Sequence, residues 1–311
     1  MIAEKKIYLR PASAEEAVNL AHQFEDHFRF LAGGTDVMVN KFQGNDNASC
    51  LIDITGIPEL REITRREKQL VIGSSVTLSD LKQHADVLQL FPVLAEAVNA
   101  VASPVIRQTA TVGGNLLCEN RCMFYNQSEW WREAVGYCLK CNGDICIASG
   151  GKKNCFSKFV SDLAVALISL NASLEVIEYG SSFILPLKDI YTGNGIKPHK
   201  FNKTSLIKAI HIPSSEGGRS VFRKLRKRES MDFTSLTTVV TVNRSGVIRI
   251  VLGGVDPKPI VVEGNAGDDR EELIRLAMKK PRIVENDVFS RQYRKEMIGV
   301  FLAASFKELQ V

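Results

Sequence analysis

Between Leu116 and about Ser157 the chain loses regular periodicity, and six of its seven cysteines lie in that stretch: Cys118, Cys122, Cys138, Cys141, Cys146 and Cys155, with only Cys50 outside. An irregular run of roughly 40 residues inside a compact domain is uncommon unless it is functional or held by something other than a packed core. The remainder is ordinary for a globular protein, 311 residues with 45% hydrophobic and 24% charged, and the length suggests two or three domains. Apolar runs such as LAVALISLNASLEV at 163–176 stop short of the roughly 18 residues that a membrane span requires. The opening MIAEKKIYLR turns polar at once, so no export signal is expected and a cytoplasmic location is. In that setting clustered cysteines point to metal binding or catalysis more than to a disulfide framework. The net charge of +5 is modest and concentrated in FRKLRKRES at 222–230, with no nucleic-acid reader motif.

Spacing alone leaves the cysteine chemistry open. Only Cys138 and Cys141 form a CxxC knuckle, whereas a zinc ribbon needs two. Iron–sulfur clusters take four thiolates on longer and less regular loops. Unligated or redox thiols are the third possibility.

The flanking sequence reads as mixed α/β followed by α+β. KIYLR (6–10) is strand-like, and Ser13 with Glu16 forms a capping-box signal for a helix to about residue 23. FRFLAGGTDVMV (28–39) is an apolar strand that stops at Gly33-Gly34, and CLIDI (50–54) is another strand. LREITRREKQLVIGSSVTLSDLKQ reads strand, strand, helix, and PVLAEAVNAVAS (92–103) reads as a helix interrupted by Pro104. After the cysteine region come SDLAVALISL as a helix and ASLEVIEY and SLIKAIHIP as strands. The polar SSEGGRS (214–220) marks a boundary before a lobe of three strands and two amphipathic helices. The expected domains are 1–56, 57–213 with an insertion at about 116–157, and 218–311.

Two glycine pairs follow apolar segments, Gly33-Gly34-Thr35-Asp36 and Gly113-Gly114-Asn115. Glycine lets the backbone approach a ligand and aim successive amides inward, which suits a diphosphate. Neither pair matches the Rossmann or P-loop fingerprint, and an ordinary turn explains either one taken singly.

The strings FLAGGTDVMV, TVGGNLL, LRKRESMDF and YRKEM resemble the FAD-binding subunits or domains of molybdenum hydroxylases, the xanthine dehydrogenase family, over essentially the whole chain. The insertion GGNLLCENRCMFYNQSEWWREAVGYC resembles something narrower, the β subunit of 4-hydroxybenzoyl-CoA reductase, which carries an extra [4Fe-4S] cluster. The resemblance implies a two-subdomain FAD-binding fold plus a C-terminal α+β domain. It implies flavin contacts from the first loop, Leu31, Ala32, Gly33, Gly34, Thr35, Asp36 and Val37, and from the second, Thr111, Val112, Gly113, Gly114 and Asn115. Asp162 is implied to bond a flavin hydroxyl, and Lys224 to lie near the isoalloxazine, where its charge favours the anionic reduced flavin. Val101 and Ile207 are implied as apolar contacts to the rings.

Without the resemblance, Asp162 reads as a helix cap, Lys224 as part of a solvated basic run, and Val101 and Ile207 as core. The cluster ligands implied are Cys122, Cys138, Cys146 and Cys155, with Cys50, Cys118 and Cys141 set aside; spacing alone admits Cys141 as readily as Cys138. Trp130 and Trp131 read equally as a water shield for a cluster or as plain packing.

The implied function is electron transfer within a molybdenum oxidoreductase. Molybdopterin and [2Fe-2S] clusters would sit on partner large and small subunits, in a dimer of heterotrimers. Ferredoxin or a similar donor would drive dehydroxylation of an aromatic acyl-CoA. The alternatives are a hydroxylase subunit running electrons from molybdenum to NAD or another acceptor, and a zinc-stabilised interaction protein whose glycine turns bind nothing.

Overall fold

The structure is a computed structural model that describes residues 6–24 and 27–310. It begins with β1 (Ile7–Leu9), α1 (Ala14–Gln23), β2 (Phe28–Leu31), α2 (Val37–Phe42) and β3 (Cys50–Asp53). The strands form a parallel sheet in the order β1-β3-β2. Ser13 starts α1 as expected, its Oγ accepting from the Glu16 amide at 3.1 Å. Glu16 reaches back one residue further than a capping box requires, to the amide of Ala12. The apolar face of α1, with Ala14, Ala17, Val18 and Ala21, packs on this sheet beside the wholly buried Cys50.

Next come β4 (Ile63–Arg66), β5 (Gln69–Gly73) and the helices α3 (Leu78–Gln83), α4 (Ala85–Leu90), α5 (Pro92–Ala100), α6 (Pro104–Arg107) and α7 (Val112–Leu116). Pro104 does interrupt the helix of 92–103, but it also opens α6, with Ser103 as the cap, because proline suits the first helical position. The second glycine pair lies inside α7, not in a free turn.

The cysteine region holds one short α-helix, α8 (Glu129–Ala134), and a 3-10 turn at Leu139–Cys141. Helix α9 (Asp162–Ser169), β6 (Ser173–Glu178), β7 (Ser181–Pro186) and β8 (Leu206–Pro213) complete a five-stranded antiparallel sheet, β4-β5-β8-β6-β7. The last part is a four-stranded antiparallel sheet, β12-β11-β10-β9, from β9 (Gly218–Leu225), β10 (Leu236–Asn243), β11 (Val247–Gly253) and β12 (Ile260–Asn265). Two helices, α10 (Arg270–Lys279) and α11 (Arg291–Leu309), cover it.

Every residue of α9 is buried. A helix that is apolar all round must be covered all round. Val165 of α9 packs with Val239 of β10 and Val251 of β11 in the same core that holds Leu174 of β6 and Ile210 of β8. The helix therefore sits between the second and third sheets, and its N-terminus opens onto the site described next.

Candidate functional site

Strand β2 ends at Leu31 and delivers Ala32-Gly33-Gly34-Thr35-Asp36 to the start of α2, with Gly34 in the left-handed region at φ +70°. Gly33 lies so close to the other loop that a Cβ there would stand 1.8 Å from the Thr109 carbonyl oxygen. Thr111 caps α7, its Oγ1 accepting from the Gly114 amide at 3.2 Å. The Gly113 amide donates to the Ser74 carbonyl at 2.8 Å, and a Cβ on Gly113 would meet the Ser74 side chain at 2.9 Å. Glycine is thus demanded at Gly33 and Gly113 by the mutual approach of backbones. The two motifs, 80 positions apart in sequence, face each other across one cleft.

That cleft has a volume of about 380 Å³. Ala32, Gly33, Gly34, Thr35, Asp36, Val37, Val101, Thr111, Gly113, Gly114, Asn115, Asp162, Ile207 and Lys224 all line it. Leu31 and Val112 do not. The Leu31 carbonyl is engaged by the Ile54 amide across the sheet, and Val112 is fully buried in the core with its amide on the Val76 carbonyl. Neighbours of a glycine motif need not share its orientation, since successive side chains alternate across a strand and step around a helix with a period of 3.6.

Lys224 is not a free charge in a solvated run. It lies on β9, and its Nζ donates to Asp162 Oδ2 at 2.6 Å, to the Ala100 carbonyl at 2.8 Å and to the Asp232 carbonyl at 3.0 Å. The side chains are 5% and 3% exposed, a buried ion pair at one wall of the cleft. Thr237 donates to the other oxygen of Asp162. Asp162 therefore does not cap α9; Ser161 does, accepting from the Ala164 amide at 3.1 Å while its hydroxyl donates to Asn115.

Two lining residues were not legible from sequence. Ser74 is 4% exposed and its Oγ has no hydrogen-bond partner, and the Nε of Arg121 is likewise buried without one. Unpaired buried polar atoms are costly unless a ligand answers them. Together with facing backbone loops and an apolar wall at Val101 and Ile207, they fit a large ligand with phosphate, hydroxyl and ring portions, as FAD has. Cys118 also lines this cleft, and burial pushes its thiol up.

A second, far smaller cavity, about 10 Å³, lies within the cysteine region. Cys122, Cys138, Cys146 and Cys155 all line it, with Phe124, Tyr125, Leu139, Lys140, Ile147 and Ala148. Cys50, Cys118 and Cys141 do not. Tight turns set the four thiols: the Cys122 carbonyl accepts from the amides of Tyr125 and Asn126, that of Cys138 from Cys141 and Gly143, and that of Cys146 from Ser149 and Gly150. Cys155 is gripped by Asn194, whose Oδ1 accepts from its amide at 3.0 Å, and the Ser157 amide donates to its sulfur at 3.4 Å.

The neighbouring Cys141 thiol draws Cys138 below the usual thiol range, and Cys155 does the same to Cys146, while Cys141 and Cys155 rise in turn. Burial raises Cys122. The donors are four buried soft sulfurs with no carboxylate among the lining residues. Among the described residues, no three His, Cys, Asp or Glu side chains converge as they would on one metal ion. Four buried thiols suit a soft-metal site, an iron–sulfur cluster or zinc alike.

Lys140 is the one charged group on this cavity, paired with Glu119 and 4.3 Å from the Tyr125 ring centre. The tryptophans do not shield it: Trp130 is 75% exposed, and neither Trp130 nor Trp131 lines the cavity. Phe124 and Tyr125 occupy that role, because α8 turns Trp130 outward while Arg132 anchors its inner face to Asn45 and to the Tyr125 carbonyl.

Residues 3–215 match the family described as FAD binding domain in molybdopterin dehydrogenase. The chain is 31% identical over 250 residues to the aldehyde oxidoreductase FAD-binding subunit PaoB of Escherichia coli K12, covering 76% of this chain and 77% of that one. It is 26% identical to the putative xanthine dehydrogenase FAD-binding subunit XdhB of the same organism, covering 81% and 75%. The fold superposes on a chain of carbon monoxide dehydrogenase from Hydrogenophaga pseudoflava with a TM-score of 0.79, at 21% identity, over 99% of this chain and 98% of that one. Among the described residues no helix is long and apolar enough to cross a membrane.

Proposed function

Because this chain belongs to the family of FAD-binding domains in molybdopterin dehydrogenases, and is an FAD-binding subunit of a molybdenum-hydroxylase-type oxidoreductase, we propose that it also carries one [4Fe-4S] cluster and serves an enzyme of the 4-hydroxybenzoyl-CoA reductase kind. The observation that carries this reading is that Cys122, Cys138, Cys146 and Cys155 all line one cavity. When bound, FAD and the cluster supply one- and two-electron exchange, and no residue of this chain acts as acid or base on the final substrate. The chain's own residues bind and position. The loop at Gly33–Asp36 offers amides to the diphosphate, the loop at Thr111–Asn115 walls the cleft opposite it, Val101 and Ile207 wall the rings, and the Lys224–Asp162 pair fixes the far side of the cleft. The four cysteines hold the cluster, with Lys140 offsetting its negative charge.

In this reading residues 1–56 and 57–213 form the two flavin-binding subdomains, with the insertion at about 116–157, and 218–311 form the C-terminal domain. The molybdenum site and [2Fe-2S] clusters belong to a large and a small partner subunit, assembled as a dimer of heterotrimers in the cytoplasm. The donor is ferredoxin or a similar low-potential carrier, and the substrate an aromatic acyl-CoA. The zinc-stabilised interaction protein is not carried forward, since the flavin cleft and the FAD-binding family speak against it.

The test is the direction of electron flow in the assembled complex. Reduced ferredoxin is expected to bleach the flavin and drive dehydroxylation of 4-hydroxybenzoyl-CoA, while NADH leaves the flavin oxidised. Rapid exchange with NADH, together with oxidation of an aldehyde or purine, would instead establish the hydroxylase alternative.

A further inference from the structure

Asp36 belongs to the first glycine loop, yet its carboxylate is gripped from the cysteine insertion. The Arg121 guanidinium pairs with Oδ1, and the Glu119 amide donates to Oδ2 at 3.0 Å. Arg121 immediately precedes Cys122, and its backbone exchanges two hydrogen bonds with Lys158, three residues beyond Cys155. Its position is therefore set by the same two segments that present two of the cavity's four thiols. On the other side, its guanidinium lies 4.6 Å from the ring centre of Phe233, and both residues line the flavin cleft. The side chains of Arg121 and Asp36 are 13% and 24% exposed, so salt screens this pair less than one on the open surface.

We propose that Arg121 is a positioning residue that links the two cofactor sites: filling the cysteine cavity fixes Cys122 and with it Arg121, and Arg121 holds Asp36 and the first glycine loop in the form that binds flavin. The inference rests on the cluster reading above. Released from its cluster, Cys122 frees its turn, Arg121 loses its fixed register, and the Gly33–Asp36 loop loses its anchor. Linkage makes the effect reciprocal, so the factor by which an empty cysteine cavity weakens FAD binding equals the factor by which loss of FAD weakens cluster retention. A coupling of this type is typically about 5- to 150-fold.

The experiment titrates FAD, by quenching of its fluorescence, into the full chain stripped of flavin, with and without reconstituted iron and sulfide. Iron content is measured first. In the wild type, iron loading is expected to tighten FAD binding about tenfold, within the range above. R121Q, loaded with iron, is expected to bind FAD as weakly as the iron-free wild type and to lose the response to iron. R121K restores part of the response, since it keeps the charge without the planar fork. D36N, which breaks the same pair from the flavin side, reproduces R121Q and guards against a folding defect peculiar to one variant. Equal FAD affinity in loaded and iron-free wild type, or an R121Q chain that keeps the full response to iron, overturns the inference while leaving the cluster in place. A wild type that takes up no iron overturns the cluster reading itself, and the iron analysis reports that before any flavin is added.

Discussion

Replacing Gly33 by alanine puts one methyl group where the two flavin loops touch. Its Cβ would stand 1.8 Å from the Thr109 carbonyl oxygen, 2.5 Å from the Thr109 carbonyl carbon and 3.0 Å from Ala110 Cα. All three are backbone atoms, so no side-chain rotation relieves the clash, and the loops must part by about 1.5 Å to regain ordinary contact. Overpacking of this kind costs about 1–3 kcal/mol, and a backbone neighbour places it toward the upper end. Thr109 and Ala110 lead directly into the Thr111 cap, and Gly33 leads into Gly34 and Asp36, so the parting separates the two loops that line the cleft. If the strain falls on binding, FAD affinity drops roughly 5- to 150-fold; if it falls on the fold, each kcal/mol lowers the melting temperature by about 2–4 °C. Flavin fluorescence titration and thermal melting of the flavin-free chain, read together, capture both routes. Gly267→Ala is the control, since nothing stands within 4 Å of its Cβ position. A Gly33→Ala chain that binds FAD and melts as the wild type does would refute the reasoning.

Lys224→Met leaves the buried Asp162 without its cation and is expected to cost about 3–5 kcal/mol in urea denaturation. Lys224→Met combined with Asp162→Asn should recover part of that loss, and a fully stable single variant would contradict the pairing. Burial holds His199 down to about 4, against 6.5 in the unfolded chain, so its contribution to stability is complete above pH 6.5 and is lost as the pH falls toward 4. At pH 5 the loss attributable to this residue is about 2 kcal/mol, measured as the extra shift of the urea midpoint in the wild type over His199→Gln; equal shifts in the two chains would remove His199 as the cause. Cys118→Ser is expected to keep a full complement of iron, because that thiol lines the flavin cleft and not the cysteine cavity. Iron loss in that variant would redraw the ligand set.

What the sequence makes legible here is local. The Ser13 cap, the amphipathic α10 and the apolar α9 follow from signals within a few residues of each other, and the structure contains all three. Strands β7 and β12 escape such a reading. The former is an almost wholly exposed hairpin edge without alternation, and the latter joins the sheet only through its pairing with β11. The glycine motifs announce a close backbone approach, but which backbones meet depends on Thr109 and Ser74, which no short-range pattern connects to Gly33 or Gly113.

Lys224 reads as a surface charge because its neighbours 226–228 are basic, while its partner Asp162 lies 62 positions away. Arg121 and Ser74 carry no motif at all and are identified only by where they face and by atoms left without partners. The choice of Cys138 over Cys141, open on spacing, turns on position in the fold: Cys138 lines the cavity and Cys141 does not.

The central claim, a four-cysteine cluster beside the flavin cleft, is tested most directly by iron and acid-labile sulfide analysis of the chain prepared without air. The account predicts about four of each per chain, lost when Cys122, Cys138, Cys146 or Cys155 is replaced by serine. A chain that binds FAD yet holds a single zinc ion, or no metal at all, would contradict it.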